Sequence, residues 1–386
     1  MSERIAITGV GAISAAGADR AALADALVAG RSCLATTSDA ALPLAAALPV
    51  GAVTATLPSG HPRTVALALA AAREALATAN LPCSVLATTG LALGSCTGGM
   101  REGGSAYFAA AEPGPDPSYR HQPIGRSALR VAQALHLRGP LTAHAEACAS
   151  AACALTEAAT WIRHGLAPAV VVVGADALTR LTMAGFASLQ VVDPNGCRPF
   201  IAERAGMSLG EGACAVVLED GEHARRRGAK ISAWLDGWAV AADAHHATAP
   251  EPHGTWLAQA IAQALGQAGV TAAELDCVAA HGTGTRDNDA VEAAVLARLQ
   301  PGIAVSSHKG SIGHTLGAAA LFGVAAALTS FARQVRLPSA GVGQGTALPG
   351  LGLYAQAQPA RIDRALVTCL AFGGVNAALM LRREAP

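Results

Sequence analysis

The sequence predicts an α/β fold of stacked layers around a buried, mainly parallel sheet. Three observations lead there. Short β-branched runs alternate with Ala- and Gly-rich helical stretches. Hydrophobic residues make up 52% of the 386 positions against 14% charged, enough apolar surface to offset chain entropy over a large core. Two distant segments share one plan, a short strand running into a reactive side chain and then a small-residue helix, a signal of internal duplication.

The strands expected in order are Ile5–Gly9, Val85–Leu93, Ala169–Val173, Ala213–Leu218, Cys277–Ala280, Ile303–Ser306 and Leu366–Leu370. Helices are expected over Arg63–Ala79, Ala151–His164, Thr255–Ala268 and Ala290–Leu299, where apolar residues recur at helical spacing. The duplicated plan places Thr142–Ala147 as a strand before Cys148, and Ile303–Ser307 as a strand before His308–His314 and the helix Leu316–Leu328. The halves are expected to span residues 1–235 and 236–386, with chemistry at their junction.

Composition narrows the function. Lys plus Arg and Asp plus Glu number 27 each, so no global field draws the chain to nucleic acid or anionic lipid. Aromatics at 3% make a base-stacking platform unexpected. The longest uninterrupted apolar and Gly run, Leu316–Leu328, is too short for a bilayer, and no secretory leader pattern is present. Nine cysteines, scattered and without a C-x-x-C pair, point to reduced thiols in a cytoplasmic protein rather than to disulfides or a metal site.

Four residues carry the chemical expectation. Cys148, in HAEACASAACAL, stands at a strand-to-helix elbow, where a helix N-terminus favours the thiolate; the alternative is a buried structural cysteine. His281 follows the run Cys277–Ala280 and opens HGTGTRDND, at a strand exit where α/β sheets bind ligands. Lys309 and His314 lie in SSHKGSIGHTLGAA, at another strand exit. Taken singly, these are a local loop histidine, a solvated lysine and a capping histidine. Together, one thiol, two imidazoles and one amine suit covalent acyl transfer, with imidazoles donating to developing oxyanions.

Collinear motifs make the chain recognisable: RIAITGVGAIS, GSCTGGM, ACAS, VVVGAD, GMSLGEGACAVVLED, HGTGTRDND, KGSIGHTLGAA and AFGGVNAAL. It resembles the β-ketoacyl-acyl-carrier-protein synthases of the thiolase superfamily over nearly its whole length. The resemblance implies a five-layer αβαβα fold of two similar halves, and a homodimer or a heterodimer with a ketosynthase-like subunit. It implies no cofactor, because substrates ride on the phosphopantetheine arm of acyl carrier protein. Cys148 would take the acyl chain as a thioester. His281 and His314 would assist malonyl decarboxylation and hold the enolate. Backbone N–H groups of Cys148 and Phe372 would form the oxyanion hole. Phe372 would also gate the acyl pocket, with Gly373 and Gly374 supplying flexibility, and Lys309 and Glu292 would form a supporting charged pair.

Some positions depart from that pattern. Glu146 stands where relatives commonly carry Ser or Thr, and is expected to pair with a cation at an interface rather than to face Cys148. Residues 55–65 lack a longer basic loop, leaving Arg63, Arg198 and Arg204 as candidate carrier contacts, and Arg101–Gly104 hints at a pocket wall. Ala320 replaces a Gly common among relatives. Glu146 and the short loop tilt the reading from housekeeping fatty-acid synthesis toward a specialised polyketide or polyene pathway. Two other readings are a chain-length-determining partner subunit, which generally lacks the nucleophile, and a Cys-His thioester hydrolase.

Overall fold

The computed structural model describes residues 4–109 and 120–385. Its strands are β1 (Ile5–Ile13), β2 (Gly90–Gly94), β3 (Leu141–His144), β4 (Ala169–Asp176), β5 (Gly212–Asp220), β6 (Ala233–Ala242), β7 (Cys277–Ala279), β8 (Val305–Ser306), β9 (Val335–Arg336), β10 (Gln358–Pro359), β11 (Arg364–Leu370) and β12 (Val375–Arg383). All but β9 and β10 join one sheet in the order β3-β2-β4-β5-β1-β6-β12-β11-β7-β8. The first five strands and the last five, read from opposite edges, repeat one topology. The two sets meet only where Ile5–Ile7 of β1 pairs with Ala233–Leu235 of β6.

The same packing device recurs in both halves. Gly11 in β1 lets helix Arg63–Ala79 approach so closely that a Cβ would lie 2.1 Å from the Ala71 carbonyl oxygen. Gly237 in β6 plays the same part against helix Thr255–Ala268, 2.1 Å from the Ala264 carbonyl oxygen. Two Ala-rich helices, Ser150–Arg163 and Ala319–Arg333, pack between the halves and share one core with both. Helix Arg63–Ala79 covers the outer face of one half, and helices Thr255–Ala268 and Arg286–Leu299 that of the other. The result is five layers in the thiolase-like arrangement. Val170–Val173 is buried on both faces, as a continuous apolar strand in the middle of such a stack must be.

Several expectations change. The sheet is mixed rather than mainly parallel, because β5, β1, β6 and β12 run antiparallel to their neighbours. Val85–Leu93 is not one strand: Pro82 starts a helical turn, Cys83–Leu86, and only Gly90–Gly94 pairs. The strand before Cys148 stops at His144, and that of Ile303–Ser306 shrinks to Val305–Ser306. Strands β6 and β12 were not expected from the pattern. Leu316–Arg333 has the length and mean hydropathy (1.5) of a membrane span, but 83% of it is buried inside the protein, as a core helix is.

Candidate active site

The nucleophile candidate sits on a strained elbow. After β3 the chain turns through Ala147 at φ +46°, and Cys148 follows inside a single turn of 3-10 helix that leads into helix Ser150–Arg163. The strained carbonyl of Ala147 is held from two sides, by Cys96 Sγ at 2.9 Å and Ser150 Oγ at 2.6 Å. The second half repeats the elbow at Leu316, φ +50°, leading into helix Ala319–Arg333. There Gly317 stands where Cys148 stands, its N–H donating to the buried Asp176 carboxylate at 2.7 Å. Asp176 also accepts from Ser95 Oγ and the Cys96 and Thr97 N–H groups, tying the loop after β2 to that turn.

His281, Lys309 and His314 follow β7 and β8, and Phe372 follows β11, at the carboxyl ends of three parallel strands. Glu292 locks His281 by its backbone: the carboxylate accepts from the His281 and Gly282 N–H groups at 2.8 Å each and from Thr368 Oγ1 at 2.6 Å. Lys309 Nζ donates to the His281 carbonyl and lies 3.3 Å from its Nδ1. His314 is clamped by backbone bonds to Ser208 and Gly210. Glu292 and Lys309 therefore bracket His281 from two sides, and the Glu292 charge acts on Lys309.

The structure brings the expected group together. His314 Nε2 lies 3.0 Å from Cys148 Sγ. The His281 and His314 rings meet edge to face at 5.4 Å between centroids. All three side chains, with Phe372, line one cavity of about 570 Å³, within the range of small-molecule sites. The backbone N–H groups of Phe372 and of Cys148 itself both favour the ionised sulfur.

Electrostatics then assign the protons. Burial is the largest influence on the Cys148 thiol and pushes it up to about 11; the Lys309 charge and the Phe372 N–H pull the other way without prevailing. The resting sulfur is thus a thiol, not the thiolate expected from the helix terminus alone. Burial, and next Lys309, hold His281 and His314 well below the ordinary imidazole range, so both rings are neutral. The Leu316 N–H donates to His314 Nδ1 at 3.2 Å, which leaves the ring proton on Nε2, facing the sulfur. Lys309 occupies Nδ1 of His281 in the same way. Cys148, His281 and His314 place ligand atoms within 4.8 Å of one another, a spacing a metal would accept. Their imidazoles offer N–H groups rather than lone pairs, so the cluster is built to donate hydrogen bonds.

A third buried imidazole, His308, stacks near Phe322 with its Nε2 unpartnered, and burial also holds its pKa well below the ordinary range. A depressed folded pKa gives a stability contribution that is complete above about pH 6.5 and shed as pH falls toward the folded value. His308→Leu removes one such group. Its urea midpoint is expected to fall less than the wild type's between pH 7 and 5.5, by up to about 1.4 kcal/mol per pH unit in unfolding free energy. Parallel curves for the two proteins would contradict the neutral buried state.

Glu146 lies 3.4 Å from His144 Nδ1, and its charge acts on Cys153. The arginines and Arg101–Gly104 are placed differently from expectation. Arg63 is bound to Glu211 and the Val53 carbonyl, Arg198 to Asp193, and Arg204 to the Ile201, Thr285 and Arg286 carbonyls. These arginines brace loops instead of offering free charge to a carrier. Arg101–Gly104 does not line the cavity. Ala320 is buried in the central helix layer. Gly373 and Gly374 beside Phe372 adopt φ +85° and +82°, conformations that favour glycine. Two site residues escaped sequence reasoning. Cys369 donates its S–H to the Cys148 carbonyl at 3.1 Å, and Phe186 stacks on Phe372; neither carries a local motif.

The layered halves with their duplicated elbows are those of the thiolase-like enzymes, which are acyltransferases. Within that class the chain belongs to the β-ketoacyl synthase family: the family's N-terminal domain matches residues 2–224 and its C-terminal domain residues 232–342. It is 34% identical over 313 residues to a 3-oxoacyl-[acyl-carrier-protein] synthase 2 of Rhizobium meliloti, covering 77% of this chain and 74% of that protein. It is 32% identical over 349 residues to the tetracenomycin polyketide synthase ketoacyl synthase alpha subunit of Streptomyces glaucescens, covering 84% and 82%. A ketosynthase from Xenorhabdus doucetiae, solved in complex with its chain length factor, superposes with a TM-score of 0.87 at 28% identity, covering 99% of this chain and 98% of that one.

Proposed function

We propose that the protein is a β-ketoacyl-acyl-carrier-protein synthase that extends carrier-bound acyl chains by decarboxylative condensation with a malonyl group. The observation that carries this reading is the single cavity shared by Cys148, His281 and His314, with His314 Nε2 3.0 Å from the sulfur. In the first half-reaction Cys148 Sγ bonds to the acyl carbon, the carrier's C–S bond breaks, and the thiol proton leaves with the carrier thiol. In the second, the malonyl C–C bond breaks to release carbon dioxide. The Nε2–H groups of His281 and His314 hold the enolate oxygen, and its carbon attacks the Cys148 thioester. The N–H groups of Cys148 and Phe372 receive the tetrahedral oxyanion, which collapses to β-ketoacyl product with cleavage of the Cys148 C–S bond, and the released thiolate takes a proton from solvent to restore the thiol.

In this reading residues 1–235 form the half that carries Cys148, and residues 236–386 the half that carries His281, Lys309 and His314, a division falling inside β6. Lys309 and Glu292 support His281, and Phe372 with Gly373 and Gly374 gates the cavity. No resident cofactor or metal is required. The partners are acyl carrier protein and a second ketosynthase-type subunit, identical or related, as in the Xenorhabdus complex. All nine cysteines are free thiols, in keeping with a cytoplasmic setting. A chain-length-determining partner subunit is disfavoured because the nucleophile and both imidazoles are present and in register.

The test is a condensation assay with acyl and malonyl carrier proteins. A β-ketoacyl product formed with one carbon dioxide per turnover supports the reading. Free fatty acid without ketoacyl product identifies a hydrolase, and no turnover of either kind points to a partner subunit.

A further inference from the structure

Phe372 closes over the cavity from the turn between β11 and β12, whose backbone is tied by the Ala371, Gly374 and Asp243 N–H groups while the ring itself stands free of those bonds. Gly373 is exposed, with nothing within 4 Å of where a Cβ would stand, and its N–H makes a loop contact to the Ala247 carbonyl at 2.8 Å. The ring of Phe372 is nevertheless seated, because Phe186 stacks on it with centroids 5.7 Å apart and planes at 29°. Both rings line the cavity that contains Cys148. Phe186 belongs to the helix Arg180–Ser188, an element attached lightly: Met183 is its only buried residue, and Phe186 packs against the apolar cluster that includes Met183, Met207 and Leu316.

We infer that Phe186 is a positioning residue that latches Phe372 over Cys148, so that an acyl chain must part the two rings to reach the sulfur. The inference rests on the function proposed above and adds a specificity element to it. An offset aromatic pair contributes modestly beyond its buried area, enough to bias open against closed by several-fold without sealing the site. The cost of parting the rings falls on aliphatic chains long enough to displace Phe372. Acetyl-sized groups that fit the closed cavity do not meet it.

The experiment compares wild type with Phe186→Leu, which keeps apolar bulk, and with Phe186→Tyr, which keeps the ring. Cys148 acylation is followed by intact mass with carrier-bound acyl groups from two to twelve carbons. Cys148 alkylation by iodoacetamide, read by peptide mass, reports access independently of turnover. The Leu variant is expected to acylate about three- to tenfold faster with long primers, to match wild type with acetyl, and to alkylate faster; the Tyr variant is expected to follow wild type. Equal rates for wild type and Leu variant at every chain length and in alkylation overturn the latch. So does a uniform change that ignores chain length. If wild-type Cys148 takes up no acyl group at all, the proposed function fails, whereas normal wild-type acylation with an indifferent Phe186 removes only the latch.

Discussion

Cys148→Ala is expected to take up no acyl group: incubated with acyl carrier protein, the wild type gains the mass of the acyl chain and the variant gains none. Condensation falls by at least about a thousand-fold, since removing a covalent nucleophile leaves only binding and oxyanion stabilisation. The sulfur is placed for this by the Ala147 elbow and by Cys369, which donates to the Cys148 carbonyl. Its thiol is pushed up to about 11, so reactivity comes from geometry and from the N–H groups of Cys148 and Phe372 rather than from a standing thiolate. Acylation is accordingly expected to keep accelerating from pH 7 toward pH 9, as the thiolate fraction grows. An adduct that persists in Cys148→Ala would place the nucleophile at another of the nine thiols.

His281→Ala and His314→Ala are each expected to lose malonyl decarboxylation by about a hundred- to a thousand-fold while acyl transfer to Cys148 stays within about tenfold of wild type. The separation follows from what each ring touches. Both rings are neutral, and both present Nε2–H to the cavity because Nδ1 is occupied, by the Leu316 N–H in one and Lys309 in the other. Donors of this kind matter where negative charge develops, on the enolate oxygen, more than in thioester exchange, where the backbone N–H pair receives the oxyanion. Release of labelled carbon dioxide from malonyl carrier protein, measured beside acylation by mass, tests both halves at once. Wild-type decarboxylation in either variant would break the assignment, and loss of acylation in step with decarboxylation would make the imidazoles structural.

Much of the fold was legible because local pattern and global packing agreed. The helices Arg63–Ala79 and Thr255–Ala268 have the boundaries that their apolar spacing implies. Where the two levels disagreed, the reading failed. The β12 segment VNAALMLRR is rich in helix formers, yet it is held extended between β11 and β6. Val85 and Thr88 look like strand residues, but Pro82 and the local turn win there. The antiparallel strands at the centre of the sheet leave no mark on the sequence, because strand direction depends on partners far along the chain.

The candidate site divides in the same way. Sequence alone put forward Cys148, His281, Lys309 and His314 as candidates, because each stands in a motif of small and glycine residues readable within a dozen positions, and the family resemblance added Phe372. Tertiary structure decided that Cys148 and His314, 166 residues apart, lie 3.0 Å from each other, that Glu292 and Lys309 bracket His281 from two sides, and that Phe186 faces Phe372. It also decided the charge state of the sulfur. Propensity and capping act within a few residues, whereas burial and the approach of distant groups exist only once the layers have closed, and at this site those terms outweigh the helix terminus that the sequence makes visible.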